Sequence, residues 1–255
     1  MITNAHTGTR IDEVADGIYR INTPLLVDEI PGGFNLSQYL IVDEEPVVFH
    51  AGYRRWFPFV SEAISKVVPV ESIRHVGYSH FEGDESGAIN DFLAAAQQAV
   101  PFASRIGTLT SLQDCVDCPP RGLTDGEEFS IGRKTLRWID TPHVPHGWDC
   151  GILFETKSQT LLCGDLFTQP GANTPPVTES EILTASEVMR KAMEYYAHGT
   201  RTQEILERLA SLKPTTLACQ HGSAYRGDGA ALLRALAGAL KAESEAGRAA
   251  GAPGH

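Results

Sequence analysis

A short segment of metal-binding side chains, residues 79–85 (SHFEGDE), follows a predicted strand and precedes a predicted helix. Within it, His80, Glu82 and Asp84 occupy alternate positions, and in extended backbone alternate side chains project to the same side. One loop can therefore direct an imidazole and two carboxylates at a single cavity. Taken alone, the segment is also consistent with a solvated acidic loop that holds a capping Asp.

Three later segments supply the same kinds of side chain. His143 and His146 follow one predicted strand, Asp165 follows the apolar run TLLC, and His221 follows the apolar run TTLA. A lone Asp or His at such a place is more often a turn residue or a buried core histidine. Ligands nevertheless collect at the carboxyl ends of strands in α/β sheets, and four such segments in one chain favour a metal centre.

The order His-x-Glu-x-Asp, His, Asp, His resembles the metallo-β-lactamase superfamily. Hydrolases of that superfamily carry His-x-His-x-Asp-His in the first segment, whereas this chain has Glu82 and Glu85 in place of the second and last His. This variant is similar to the di-iron branch, which contains the flavodiiron oxygen and nitric oxide reductases and the stand-alone oxygen-binding di-iron proteins. The stretches 35–41 and 50–52 also fit the opening of that fold, except that His50 stands where an Asp is usual.

The resemblance implies two metal ions, with iron as the expected metal and zinc as the alternative. Three histidines and three carboxylates would bind them, and the three carboxylates nearly balance the charge of two ferrous ions. Carboxylates are hard donors that suit iron, but zinc also accepts nitrogen and oxygen ligands, so the donor types alone do not decide. The ligands that the resemblance implies are His80, Glu82 and His146 for one ion, Asp84 and His221 for the other, and Asp165 as a bridge.

Other residues near these segments have open roles. The run HGWD resembles the di-iron pattern of a His followed three residues later by an Asp, which favours His146 over His143 as the ligand. His143 is then a candidate to orient a ligand or to hydrogen-bond a bound molecule. Glu85 occupies the position of a zinc-ligating His in the hydrolases, and its coordination stays open. Tyr195 and Tyr196 are candidates to send one hydroxyl into the pocket, or are half-buried helical tyrosines.

We expect a non-haem di-iron protein that binds O2 or a similar small oxidant such as NO, and the sequence leaves open whether the oxidant is reduced, stored or sensed. Flavodiiron enzymes carry a fused flavodoxin module, for which this chain shows neither room nor a flavin-phosphate loop. An oxidoreductase reaction would therefore need a separate flavoprotein or rubredoxin-like electron donor. One alternative is a zinc hydrolase of esters, lactones or thioesters, in which a metal-bound hydroxide attacks a carbonyl, although Glu82 argues against it. Another is a signalling partner, and the resemblance also suggests a homodimer.

The composition limits the partners. The 255 residues include 21 Lys and Arg and 32 Asp and Glu, a net charge of −11, which disfavours binding to nucleic acid or to an anionic membrane. No apolar run approaches the roughly 18–20 residues of a membrane span, and the first ten residues lack the apolar core of a secretory signal. Five cysteines indicate free thiols in a reducing compartment, with the roles of Cys115 and Cys118 open. We therefore expect a cytoplasmic protein.

The elements that must position these segments alternate between strands and helices. This pattern predicts one layered α/β domain over residues 1–245, followed by a flexible tail over 246–255. The resemblance makes the fold class more specific: a four-layer αβ/βα metallo-β-lactamase-like sandwich, with two mixed β-sheets packed face to face and helices outside. The predicted strands include 36–50, 73–79 and 106–109, and the predicted helices include 56–68, 86–99 and 193–199.

Overall fold

Two seven-stranded mixed sheets form the centre of the computed structural model, which describes residues 1–26, 28 and 30–250. In the first sheet the strands follow one another in chain order. Its first four strands are antiparallel neighbours, and the following ones run parallel to the fourth. The strands of this sheet are β1 (Arg10–Ala15), β2 (Ile18–Leu25), β3 (Phe34–Ile41), β4 (Val47–Phe49), β5 (His75–Gly77), β6 (Val100–Ser104) and β7 (Arg121–Leu123).

The second sheet has the order β12-β14-β13-β11-β10-β9-β8. Both β9 and β11 are antiparallel to β10, and β13 is parallel to β11, so the carboxyl ends of β9, β11 and β13 meet at one edge. The strands of this sheet are β8 (Glu128–Ser130), β9 (Thr135–Asp140), β10 (Gly151–Glu155), β11 (Thr160–Gly164), β12 (Val177–Thr178), β13 (Thr216–Cys219) and β14 (Ala224–Arg226).

Helices cover the outer faces of both sheets. Short helical turns occur at Arg54–Trp56 and Val70–Ser72, and a continuous helical segment spans Arg105–Gly107, Thr108–Leu112 and Gln113–Cys115. Among the described residues, no helix has the length and apolar content needed to cross a bilayer. The remaining helices are α1 (Phe57–Ile64), α2 (Gly83–Ser86), α3 (Ile89–Ala95), α4 (Leu183–Met193), α5 (Thr202–Ser211) and α6 (Gly229–Ala250).

Three buried apolar clusters separate four layers. One lies between the first sheet and α1 and α3, another between the second sheet and α4–α6, and the third between the two sheets. Neighbouring residues of β11 show the alternation that produces this arrangement, since Leu161 belongs to the helix-facing cluster and Leu162 to the cluster between the sheets. The expected four-layer sandwich of two mixed sheets with helices outside is confirmed.

Aromatic side chains fill the space between the sheets. Phe102 lies edge-on to Trp138 with ring centroids 6.5 Å apart. Each ring covers a glycine: a Cβ on Gly77 would lie 2.3 Å from Phe102, and one on Gly151 would lie 2.0 Å from Trp138. Larger residues at these two positions would push the rings, and with them the sheets, apart.

Three predicted elements differ from the structure. The helix predicted over 86–99 is observed as two shorter helices, α2 and α3, and ends at Ala95. Residues 106–109, predicted as a strand, are helical, because the Ser104 side chain accepts a hydrogen bond from the Gly107 N–H and so caps a helical turn. Residues 194–199 lie outside α4, which ends at Met193 and is followed by Glu194 with a positive φ of 51°. Helix α6 extends to Ala250, and residues 251–255 of the predicted flexible tail lie outside the described residues.

Candidate metal centre

The four segments that the sequence singles out meet at one end of the sandwich. They follow the carboxyl ends of β5 in the first sheet and of β9, β11 and β13 in the second. Backbone hydrogen bonds join the two sheets here: the Gly151 N–H donates to Ser79 O at 2.9 Å, and the Ser37 N–H donates to Gln220 O at 2.8 Å. The loops are therefore held to one another as well as to their own strands.

Four of the predicted ligands form one group, which we call site 1: His80, Glu82, His146 and Asp165. One donor atom from each lies within 4.8 Å of the others. The Nε2 atoms of His80 and His146 are 2.9 Å apart, and His146 Nε2 lies 3.1 Å from Glu82 Oε1 and 3.3 Å from Asp165 Oδ2. Two imidazoles and two carboxylates thus converge on one point.

A second group, site 2, consists of Asp84, His221 and the same Asp165. His221 Nε2 lies 3.1 Å from Asp165 Oδ1 and 3.5 Å from Asp84 Oδ2. The two oxygens of the Asp165 carboxylate therefore face different histidines, Oδ2 toward His146 and Oδ1 toward His221. A carboxylate in this orientation can donate to two cations at once.

The three residues predicted to lie beside the centre occupy different places in the structure. Tyr195 lies beside it: its hydroxyl donates to Asp165 O at 3.1 Å, and its ring meets the His146 ring edge-on at 5.7 Å. Tyr196 is instead buried in the cluster beneath α4–α6. His143 is exposed and lies next to the Gly199 loop, where a Cβ on Gly199 would be 3.2 Å from the His143 Cβ. Tyr195 lines the cavity over the centre, whereas Tyr196 and His143 do not.

A cavity of about 460 Å³ lies over the two sites. Phe34 stacks on the His221 ring with centroids 4.4 Å apart. Neither Phe34 nor Tyr53 is predicted from the sequence as a site residue, because each lies in a segment without a metal-binding pattern and reaches the cavity only through the fold. The residues that line the cavity are Phe34, Tyr53, Glu82, Asp84, His146, Asp165, Thr168, Met193, Tyr195 and His221.

Charges within the group compensate one another. Hydrogen bonds from His146 and His80 lower the pKa of Glu82 to about 2. Burial alone would raise the pKa of Asp165, but the hydrogen bond from His221 and the nearby imidazoles outweigh it and leave that pKa below its usual value. Burial alone would likewise lower the pKa of His80, yet Glu85 and the other acceptors raise it well above the usual range. The raised pKa favours the protonated form of His80, and a cation bound at His80 would displace that proton.

Glu85 is the exception to this compensation. It is fully buried, and neither carboxylate oxygen has a hydrogen-bond partner among the described residues. Burial raises the pKa of Glu85 well above its usual value, and the carboxylates of Asp165, Asp84 and Glu82 reinforce this effect against the attraction of His80. A buried carboxylate without a partner is costly unless it is protonated or faces a cation.

The residues present fit a pair of bound cations. Two imidazole nitrogens at about 2.1 Å from one ion and at a right angle lie about 3 Å apart, the separation seen between His80 and His146. The His221 Nδ1 lies 2.9 Å from Asn35 O, which requires the proton on Nδ1 and leaves Nε2 free to bind. Gln220 Nε2 donates to Asp84 Oδ2 at 3.1 Å and orients that carboxylate.

A family profile described as ODP family beta lactamase matches residues 34–222, which include every predicted ligand. The chain belongs to this family. Its fold is metallo-β-lactamase-like, and its His, Glu and Asp side chains form a metal site typical of the flavodiiron centre.

The chain is also similar in sequence and structure to several known proteins. The chain is 25% identical over 207 residues to the rubredoxin-oxygen oxidoreductase of Megalodesulfovibrio gigas, covering 77% of this chain but 50% of that protein. The flavodiiron protein of Giardia intestinalis superposes with a TM-score of 0.77 at 20% identity, over 91% of this chain and 59% of that one. A fragment of the putative diflavin flavoprotein A 5 of Nostoc sp. PCC 7120 gives a TM-score of 0.80 at 16% identity, over 92% and 98%. This ODP-family chain thus corresponds to the di-iron domain of longer proteins and spans about half the length of its curated relative.

Proposed function

We propose that this chain binds two iron ions at sites 1 and 2 and that the pair binds O2 or a similar small oxidant such as NO. His80, Glu82 and His146 bind one ion, Asp84 and His221 bind the other, and Asp165 bridges them. The observation that carries the proposal is the orientation of Asp165, whose Oδ2 lies 3.3 Å from His146 Nε2 and whose Oδ1 lies 3.1 Å from His221 Nε2.

The donor set favours iron over zinc. Glu82 replaces an imidazole of the hydrolase pattern, and the buried Glu85 adds a further carboxylate beside it. Hard anionic oxygen donors stabilise the higher charge of ferric iron more than they stabilise zinc, which has a single oxidation state. The iron pair, when bound, supplies the electrons and the open coordination position that a small oxidant needs.

The surrounding residues of the chain hold and shield this centre. Phe34 and Met193 present apolar surface to the cavity and limit the water that reaches the ligands. Tyr195 donates to the backbone of Asp165 and so holds the bridging residue in place. Tyr53 also lines the cavity, and burial and the charges of Asp84 and Glu85 raise the pKa of its hydroxyl and keep it a proton donor.

A catalytic cycle at this centre would need a source of electrons. The relative from Megalodesulfovibrio gigas is named a rubredoxin-oxygen oxidoreductase. We infer that a separate flavoprotein or rubredoxin-like protein donates electrons to this chain, or that a signalling partner reads its oxygen-bound state. A cytoplasmic homodimer is the arrangement we propose for it.

Optical spectroscopy tests the proposal. The protein is loaded anaerobically with two equivalents of ferrous iron and mixed with one equivalent of O2, and the near-ultraviolet and visible spectrum is followed over time. Oxygen-dependent charge-transfer bands are expected for the wild type and not for Asp165→Ala treated in the same way. Iron that stays bound without any such bands would contradict the oxygen function.

One observation favours the zinc hydrolase as a second candidate. The cavity of about 460 Å³ exceeds the space that a diatomic molecule needs and lies in the range of pockets for organic ligands. Zinc-loaded protein is therefore assayed against a panel of lactones, esters and thioesters, beside a Glu82→His variant that restores the hydrolase pattern. Hydrolysis by the variant alone is expected if Glu82 selects the chemistry, whereas efficient hydrolysis by the wild type would favour the second candidate.

A further inference from the structure

His50 lies beneath site 1, outside the ligand set described above. It follows β4 directly, has a positive φ of 67° and is 1% exposed. Its position is the one at which the resembled superfamily usually has an Asp. A His that tolerates this backbone conformation and total burial needs an explanation in its contacts.

The contacts form a chain that ends on a predicted ligand. His50 Nε2 lies 3.1 Å from Ser79 Oγ, and Ser79 Oγ lies 3.0 Å from His80 Nδ1. All three side chains are buried, so water does not compete for these hydrogen bonds. The three residues come from the ends of two adjacent parallel strands, β4 and β5.

The number of protons that the three side chains can donate fixes the direction of these hydrogen bonds. His80 can bind a metal through Nε2 only if its proton is on Nδ1, and that N–H then donates to Ser79 Oγ. The single hydroxyl proton of Ser79 is left to donate to His50 Nε2, which must therefore be an unprotonated acceptor. The neutral His50 ring then carries its proton on Nδ1, which is buried and has no hydrogen-bond partner among the described residues. Burial lowers the pKa of His50 to about 3, consistent with a neutral ring.

We propose that His50, acting through Ser79, is a positioning residue that fixes the tautomer and orientation of His80 for metal binding at site 1. The inference rests on the proposed function, since it takes His80 as a ligand. The neutral imidazole of His50 orients His80 through Ser79 and adds no charge to the centre. The centre already contains four carboxylates: Glu82, Asp84, Glu85 and Asp165. A carboxylate at the same position would add a further negative charge.

A matched pair of substitutions tests the acceptor role. His50→Gln keeps an oxygen acceptor near the position of Nε2, whereas His50→Met has the same length and a sulfur that accepts hydrogen bonds only weakly. Loss of such a supporting hydrogen bond weakens metal binding by about 10–100-fold. We expect this loss for zinc at site 1 in His50→Met and in Ser79→Ala, and an affinity within about threefold of wild type in His50→Gln. The double variant His50→Met/Ser79→Ala should bind zinc no more weakly than either single variant, because both substitutions interrupt the same series of hydrogen bonds.

Nitrogen-15 NMR of the zinc-loaded wild type tests the direction without any substitution, so the inference stays testable if His50→Met fails to fold. The expected spectrum has the His80 proton on Nδ1 and the His50 proton on Nδ1. A His50 proton on Nε2, or wild-type zinc affinity in a folded His50→Met, would overturn the inference. A wild type that binds no zinc or iron would instead overturn the proposed function, so the two failures are distinguishable.

Discussion

Sites 1 and 2 share Asp165 but are constructed differently. Site 1 takes two imidazoles, His80 and His146, from two different sheets, and its buried support is a chain of side chains through Ser79 to His50. Site 2 has one imidazole, His221, which is fixed by a backbone carbonyl at 2.9 Å. Site 1 therefore depends on side chains that substitution can remove, whereas site 2 depends more on the course of the backbone.

The two sites also differ in the number of imidazoles. Each contains two carboxylates, Glu82 and Asp165 in site 1 and Asp84 and Asp165 in site 2, but site 1 has two histidines and site 2 has one. The buried Glu85, whose oxygens have no hydrogen-bond partner among the described residues, lies 3.7 Å from His80 of site 1. Site 1 therefore offers more donor groups to its cation, whereas site 2 depends more on the charges of its two carboxylates.

Removing the shared residue should have the largest effect. Asp165→Ala takes one charged donor from each ion at once, so we expect the metal content to fall from two ions to fewer than about 0.5 per chain. Elemental analysis of iron-loaded, desalted protein measures this content. Retention of both ions by the folded variant would exclude the bridging role.

Replacing one histidine in either site should remove the ion of that site and leave the other ion bound. His146→Ala should empty site 1 alone and His221→Ala site 2 alone, which leaves one ion per chain in each case. His143→Ala is the matched control, because His143 is exposed and outside the cavity. Isothermal titration with zinc gives the stoichiometries, and a loss of both ions in either single variant would show that the sites do not fill independently.

The effect of pH should change sign when metal is added. In the metal-free protein, burial lowers the pKa of His221, but Asp165 and Asp84 outweigh burial and leave that pKa raised. The protonated His221 therefore stabilises the fold fully below about pH 6.5. This stabilisation is lost as the pH rises through the pKa of His221 in the folded protein. Burial raises the pKa of Glu85, which likewise makes the metal-free fold less stable as the pH rises above about 4.3. The lowered pKa values of Glu82 and Asp165 matter only under more acidic conditions.

Metal binding needs deprotonated ligands and should strengthen over the same range. The increase in melting temperature on adding zinc should therefore be larger at pH 8 than at pH 5.5, as measured by differential scanning calorimetry. A larger increase at pH 5.5 would mean that these imidazoles and carboxylates do not bind the ion.

The smallest effect should come from the wall of the cavity. Tyr195→Phe removes the hydrogen bond to Asp165 O and should lower the free energy of unfolding by about 1 kcal/mol. Tyr196→Phe is the control, because the Tyr196 hydroxyl has no hydrogen-bond partner among the described residues and should be replaceable without loss. Urea denaturation compares the two, and equal stabilities would show that Tyr195 does not support the bridging residue.

Much of the centre was predictable because its ligands lie at strand ends. Single residues after β5, β9, β11 and β13 are brought together by the ordinary geometry of sheets. Asp84, however, lies in α2 and not in the extended backbone from which its alternate spacing was interpreted. Sequence alone could not find Phe34 or Tyr53, whose contacts with the centre are long-range and follow no local pattern. The resemblance marks His50 as unusual, but its role could not be predicted, since its partner Ser79 is 29 residues away.

The mistaken elements have local physical causes. Residues 106–109 contain apolar residues typical of a strand, but the Ser104 cap starts a helical turn there. Tyr195 and Tyr196 continue the apparent helical pattern of α4, yet the backbone turns at Glu194, and this turn places one tyrosine at the centre and the other in the core.

The central claim is that two cations lie on either side of Asp165. Anomalous diffraction at the iron absorption edge from crystals of the iron-loaded protein tests it most directly. Two peaks about 3.5–4 Å apart, one beside His80 and His146 and one beside His221, are expected. A single peak, or iron bound away from Asp165, would contradict the account.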